Sequence, residues 1–390
     1  MGSVSSSATP DGASARSKAY VRTAFAAPAA PPAMTTGVLG WLRANLFSSV
    51  PNTILTVLVV ALIVWVAVPI VKFLLIDAVW SGHDREACLA SAEQPVVGAC
   101  WAFVRDRFAY FIYGSYPLDQ RWRVDIFFGL LIFGIVWLLS FRAPRRDLGA
   151  IYFFIVLPVA SFVLLYGVGL PRVDTASWGG LLVTLVVAAV GIAVSLPLGI
   201  VLALGRRSRL PVIKVLSVSF IEFVRGVPLI TVLFMASVML PLFVPEQWSP
   251  DKLMRALVGV ALFSSAYMAE VVRAGLQAVP KGQYEAAKAL GLGYWPMMRL
   301  IVLPQALKTT IPNIVNSYIA LFKDTTLVFF VGIFDFLKTI EVARVDPKWA
   351  TPVTSATGYA FAALFYLVCC YLMSDYASRF ERRVSAGERR

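Results

Sequence analysis

The side chains with most chemical potential in this chain are charges set in apolar surroundings. Lys323, Asp324 and Thr325 stand together inside a long apolar stretch. Glu222 with Arg225, and Glu270 with Arg273, recur at the three-residue spacing that places both partners on one helix face. An unpaired charge at the centre of a hydrocarbon layer costs roughly 2.5 to 3.5 kcal/mol even on lenient insertion scales, so each needs a partner, water or a task. Covalent chemistry has little to work with. One histidine, His83, and four cysteines without a Cys-x-x-Cys pair argue against a histidine- or cysteine-rich metal centre. No Gly-x-x-x-x-Gly-Lys-Ser/Thr loop is present to cradle a nucleotide.

The elements that must carry these charges are membrane helices. Of 390 residues 59% are hydrophobic and 15% charged, and the mean hydropathy is +0.76. That is more apolar surface than one soluble core can hide, which excludes a soluble globular enzyme. Eight runs approach the roughly 20 helical residues needed to cross a bilayer: 52–76, 126–141, 148–170, 178–204, 212–243, 253–276, 305–337 and 353–376. The second is short, so it either sits in thinned bilayer or starts among the polar residues before it. An even count puts both termini on one side. With both in the cytoplasm, the inner segments carry roughly twice as many Lys and Arg as the outer ones, the expected bias. The net charge of +13 is therefore explained by topology rather than by nucleic acid.

Residues 1–36, rich in Ser, Ala and Pro, read as a disordered cytoplasmic tail. Val38, Leu39, Trp41, Leu42, Leu46 and Phe47, at roughly helical spacing beside Arg43, suggest a short interfacial helix. The long outer loop 77–124 holds Cys88 and Cys100. In an oxidising compartment they form a disulfide, and the alternative is two free buried thiols. Cys369 and Cys370, inside an apolar span, read as packing residues.

Between the sixth and seventh spans the chain turns polar and helix-prone over 277–304. A stub helix is expected over 283–290, ended by Gly291 and Gly293, with Pro296 and Pro304 setting off a second short helix. Glu285, Ala286 and Ala287, then Gly291, Ile301, Leu303 and Pro304 reproduce without a gap the pattern EAA-x3-G-x9-I-x-LP. In this the chain resembles the permeases of ABC importers. Glu222 to Pro228, Ala266 to Arg273 and Lys323 to Leu327 are similar to signatures of the polar amino-acid uptake subfamily. The front part, with Trp41 to Phe47 and the long outer loop, resembles the larger permease subunit of general L-amino-acid or glutamate/glutamine/aspartate/asparagine importers.

The resemblance implies an all-α integral membrane protein of the bacterial inner membrane. Its type I permease core of five spans would fill 178–376, after an extension over 37–177 with three further spans, and before a basic cytoplasmic tail at 377–390. The seven motif residues would form a coupling helix docked on an ATPase. The implied partners are two ATP-binding subunits, which hold the ATP and Mg, a periplasmic amino-acid-binding protein, membrane lipid, and a paralogous permease or a second copy of this chain. No cofactor is expected in this chain.

Gln305 to Leu337 is about 50 Å long as one straight helix and must bend, at Pro312, Asn313, Asn316 or the Lys-Asp-Thr-Thr cluster. A broken helix there lets Lys323 and Asp324 line a solute path, or else pair structurally with neighbours. The two Glu/Arg pairs read as interfacial ion pairs or as parts of an inner gate. Two rivals compete. A secondary transporter driven by an ion gradient would be expected to repeat the broken helix in a second half, and no match is seen. An intramembrane enzyme needs a nucleophile or acid/base cluster that the sequence does not offer.

Overall fold

The computed structural model describes residues 37–92, 95–140, 144–245 and 249–388. The expected tail at 1–36 lies outside them. The chain divides after Ile70 into two compact units. The first holds α1 (Gly37–Asn45) and nearly all of α2 (Val50–Val71). Thr56 Oγ1 donates to the Leu46 carbonyl at 2.8 Å and fixes the turn between them. No residue of α2 is buried, the state of a helix apolar all round whose surface meets hydrocarbon.

The second unit runs in order through α3 (Trp101–Tyr113), α4 (Arg121–Leu139), α5 (Arg146–Ile151), α6 (Leu157–Tyr166), α7 (Gly180–Arg206), α8 (Pro211–Gly226), α9 (Leu229–Phe234) and α10 (Leu240–Phe243). It continues through α11 (Lys252–Ala278), α12 (Lys281–Ala289), α13 (Tyr294–Met297), α14 (Leu303–Asp324), α15 (Phe336–Ala343) and α16 (Pro352–Glu388). Among the described residues seven helices are long and apolar enough to cross a membrane, and a bent pair, Pro211–Gly226 with Leu229–Phe243, supplies an eighth.

Prolines explain most of the irregular geometry. Lacking an N–H, a proline ring also collides with the carbonyl four residues back. Short π-helical turns at Tyr152–Val156, Met235–Met239 and Met298–Val302 each end two residues before a proline, at Pro158, Pro241 and Pro304. The wider turn relieves the collision without ending the helix. This corrects the expected second short helix. Pro296 sits in the first turn of α13, where its missing N–H is harmless, and the path from Tyr294 into α14 is continuous.

Where geometry cannot be absorbed the helix breaks. Val227 precedes Pro228 and takes an extended conformation, φ −116° and ψ 138°, as the pre-proline position requires. The bend there is 107°. The seventh span likewise does not reach residue 337. Its α-helix passes through Pro312 and ends at Asp324, tightens to a 3₁₀ turn at Thr325–Val331, and stops at Gly332 with φ 76°. The second span begins among charges, as one of the two expectations had it: α4 starts at Arg121, and Arg123 is fully buried with Nη1 donating to the Pro171 carbonyl at 2.9 Å. At the C-terminal end, helix persists through 377–388 where a basic tail was expected, aided by an Asp375–Arg379 ion pair at 2.7 Å.

The α7 and α11 helices pack against each other most extensively, with α14 beside α11 and α16 beside α14. Small residues permit this. A Cβ on Gly275 would lie 2.6 Å from the Ala306 carbonyl. Three apolar clusters result. One joins α4 and α6 to α7, α9 and α11. A second gathers Ala203, Ile221, Met268, Ala287 and Val302 around the α12 end. The third includes Cys88, Cys100, Phe103, Phe336 and Trp349.

That third cluster makes the long loop part of the core unit. Cys88 and Cys100 are joined in a disulfide, with Cα atoms 5.8 Å apart. The Cys100 N–H donates to Thr357 Oγ1 on α16 at 2.9 Å. Asp106 accepts from Trp349 Nε1 at 2.7 Å and from Lys348 Nζ at 3.1 Å, and Arg107 pairs with Asp346. Burial works against the Asp106 carboxylate, but the bonds from Trp349 and Lys348, with the charges of Lys348 and Arg107, outweigh it and hold its pKa below the usual value.

Candidate functional site

Three groups of predicted residues can be followed into space. The first is an ion cluster where the ends of α7, α8 and α11 meet. Arg206 Nη1 donates to Glu222 on α8 at 2.7 Å and to Glu270 on α11 at 2.8 Å. Glu270 also receives Arg273 at 2.8 Å and lies 3.8 Å from Arg225. The sequence expectation of two separate i,i+3 pairs therefore holds for Glu270 and Arg273 only. Glu222 is matched instead with Arg206, which the sequence reading counted simply as a topological cation. No local spacing reveals pairings of Arg206 with residues 16 and 64 positions away, at Glu222 and Glu270. With its side chain only 16% exposed, Glu270 is the most sheltered member, in contact with three guanidinium groups.

The second group separates three neighbours in sequence. Asp324 lines a cavity of about 240 Å³ with Ser195, Ser264, Tyr267 and Ser317. Lys323 is exposed on the helix surface. Thr325 is fully buried, its hydroxyl donating to the Phe322 carbonyl at 2.8 Å. Consecutive residues on a helix point about 100° apart, which is why one cluster in sequence becomes three environments. Tyr267 links the first group to the second: Arg225 stacks over its ring at 5.6 Å, and the same residue borders the cavity.

The third group is the polar loop. α12 spans Lys281–Ala289, beginning two residues before the expected start. It ends in a Schellman turn: the Gly291 N–H donates to the Lys288 carbonyl at 2.9 Å and the Leu292 N–H to the Ala287 carbonyl at 3.1 Å. Gly291 has φ 73°, a conformation that favours glycine. Ala287 is fully buried against the second cluster, whereas Glu285, Ala286 and Leu290 are exposed, Leu290 to 75%. Tyr284 donates to the Leu276 carbonyl at 2.9 Å, tying α12 to α11. Gln305 Nε2 reaches Gln283 Oε1 at 3.2 Å, tying it to α14. Ile301 and Leu303 are half-buried behind it, and Pro304 follows the π turn. The seven motif residues thus occupy one small structure: a rigidly terminated helix, one face anchored to two spans and the other open.

Among the described residues no cluster of three His, Cys, Asp or Glu side chains could hold a metal ion.

A membrane-embedded helical bundle with a braced stub helix outside its apolar core is the build of a transport subunit that takes its drive from elsewhere. The comparisons place it further. Residues 195–386 match the family model described as binding-protein-dependent transport system inner membrane component. The chain is 50% identical to the inner membrane amino-acid ABC transporter permease protein YhdY of Escherichia coli strain K12, over 89% of this chain and 93% of that protein. It is 39% identical to the glutamate/glutamine/aspartate/asparagine transport system permease protein BztC of Rhodobacter capsulatus, over 95% of this chain and 99% of that one. A solved structure described as a crystal structure of an amino acid ABC transporter with histidines is 31% identical over 52% of this chain and 92% of its own, with a TM-score of 0.46. The chain belongs to the family of inner-membrane permease components of ABC transporters. In that family ATP hydrolysis is on a separate subunit, so this is a transport component whose partners include an ATPase and a binding protein.

Proposed function

We propose that this chain forms part of the translocation path of an ATP-driven importer of L-amino acids, polar, acidic or broad in range, and passes the drive through α12. Two relatives are named for amino-acid transport, YhdY in general terms and BztC for glutamate, glutamine, aspartate and asparagine. The second half of the path is a paralogous permease or a second copy, two ATPase subunits dock from the cytoplasm with their ATP and Mg, and a periplasmic amino-acid-binding protein delivers the solute. Both termini then lie in the cytoplasm, with α12 on the same side. The chain itself makes and breaks no covalent bond.

The observation that carries this reading is the pair of braces on α12, to the Leu276 carbonyl on α11 and to Gln305 on the helix leading into α14. A push on the exposed Glu285–Ala286–Leu290 face is transmitted to both spans. α11 bears the ion cluster and borders the cavity, and α14 supplies Asp324 to that cavity. Arg206 ties α7 to Glu222 on α8 and to Glu270 on α11, and Arg225 ties α8 to Glu270, so breaking the Arg206–Glu222 and Arg225–Glu270 contacts together would let α8 move away from α11, an inner gate built from Glu222, Arg225, Glu270 and Arg273. Asp324 gives the cavity a carboxylate that can meet the ammonium group every amino acid carries; Lys323, exposed beside it, can face the path from the bundle surface, and Thr325, bonded back to the Phe322 carbonyl, secures the helix end just after them.

The test is Glu285→Lys in the assembled complex with its binding protein, reconstituted in liposomes. Substrate-stimulated ATP hydrolysis and ATP-dependent uptake should both fall at least about tenfold, while the level of inserted chain is unchanged. Wild-type uptake in that variant would rule out coupling through α12. The same preparation, screened with individual amino acids for stimulation of ATP hydrolysis, identifies the solutes carried.

A further inference from the structure

A second cavity lies beside α12 and is not explained by coupling or by transport. Its volume is about 790 Å³. The floor is apolar, from Val201 and Leu204 on α7, Ile213 on α8 and Met298 on the π turn. The rim is cationic: Arg207 and Arg209 from the link between α7 and α8, and Lys288 from α12. No carboxylate lines it. Arg207 is held in place, Nη1 donating to the Leu276 carbonyl at 3.1 Å and to Tyr284 Oη at 3.2 Å. Arg209 and Lys288 have no acidic partner among the described residues. Tyr294 and Trp295 complete the border, Trp295 with 69% of its surface exposed.

We infer that this cavity binds an anionic phospholipid, its phosphate among Arg207, Arg209 and Lys288 and an acyl chain along the α7 floor. Three lines of chemistry converge. Uncompensated cations at the inner membrane surface attract anionic headgroups, whose field draws each Lys or Arg. Trp and Tyr at the rim suit the boundary between headgroup and hydrocarbon, where amphipathic rings collect. An aliphatic floor beneath a cationic rim fits an amphiphile and leaves a small soluble anion half unsatisfied. The ATPase subunit is the competing occupant, but the surface proposed to meet it, Glu285, Ala286 and Leu290, does not line the cavity. Tyr284 and Lys288, four residues apart on α12, turn a different face to it. Because α12 supplies part of the rim, a bound lipid would brace the same helix that carries the drive. The inference rests on the cytoplasmic placement of α12 in the proposed function.

The test uses the full complex with its ATPase subunits, in nanodiscs of equal phosphatidylglycerol and phosphatidylcholine, with retained lipids counted by native mass spectrometry. The wild type should retain phosphatidylglycerol selectively. Arg209→Gln with Lys288→Gln should cut that retention about tenfold. Arg299→Gln with Lys308→Gln, the same charge change on residues outside the cavity, should leave it intact. Equal retention in the two double variants, equal loss of both lipids, or loss of the ATPase subunit in the first variant would each overturn the lipid site. Lipid counting needs no turnover. If the wild type keeps its selectivity but amino acids fail to stimulate ATP hydrolysis, the transport reading falls and the lipid site stands.

Discussion

Glu270 is where the charge pattern concentrates: one sheltered carboxylate in contact with Arg206, Arg225 and Arg273, with Glu222 sharing the first of these. The sequence showed that acids and bases alternate here and that one i,i+3 pair forms. It could not show Arg206, because its partners come from other helices, and pairing across helices leaves no mark in local spacing. The Lys323–Asp324–Thr325 triplet teaches the converse. Adjacent in the chain, they share no environment, and of the three only Asp324 borders the cavity. Asp324→Asn keeps the shape and removes the charge. It should change KM or kcat for at least one transported amino acid by about tenfold, the worth of one charge-assisted hydrogen bond. Uptake kinetics in proteoliposomes measure it, and unchanged constants for every solute would leave Asp324 a structural residue.

The elements were largely legible, and their failures share a cause. All eight apolar runs correspond to candidate spans, including the one broken beyond Val227, because the apolar length needed for a bilayer is a strong and local signal. The breaks were harder. Sequence rules treat Pro296 and Pro304 as stops, yet Pro296 falls in the first turn of α13 and a π turn accommodates the Pro304 ring, so the helix runs on. Only where Pro228 follows a residue forced into extended geometry does the axis turn. The end of α12 was readable from Gly291 alone. A Cβ at Gly291 would touch nothing within 4 Å, so the cost of replacing it is purely that of the left-handed backbone, about 1 to 2 kcal/mol. Gly291→Val should therefore misdirect the exposed face of α12 and abolish substrate-stimulated ATP hydrolysis, whereas Gly291→Asn, which tolerates that backbone, should retain most of it. Equal activity in both would show that the turn does not set coupling.

For the whole molecule, the least legible feature was how the long loop joins the core. Its disulfide was an open alternative in the sequence, but its attachment to α15 and α16 through Thr357, Asp346 and Trp349 depends on contacts more than 200 positions apart. At the edge of that assembly Asp335 is fully buried, capping α15 by accepting the Leu337 and Lys338 N–H groups, each at 3.1 Å. Burial pushes its carboxyl up from 3.8 to about 7, although both backbone bonds favour the charge. The folded chain therefore keeps the proton up to about pH 7, while the unfolded chain releases it near 3.8. The stability this contributes is full below that lower value and is lost as pH rises through about 7, an effect on the order of a few kcal/mol. Asp335→Asn keeps one of the two capping oxygens and cannot ionise. Thermal unfolding of the solubilised protein should show the wild type losing melting temperature relative to this variant between pH 4 and pH 8. A constant difference across that range would mean that Asp335 titrates normally.

The 107° turn beyond Gly226 has a mechanical consequence. α8, with its 16 residues, is an arm about 24 Å long set across the direction of α9. Glu222 grips Arg206 close to the fulcrum, whereas Pro211 stands at the opposite end, where a short link joins it to α7. A swing of about 10° would shift Glu222 by roughly 1 Å, enough to stretch an ion pair, and carry the tip roughly 4 Å. Small strokes near the pivot are magnified at the far end.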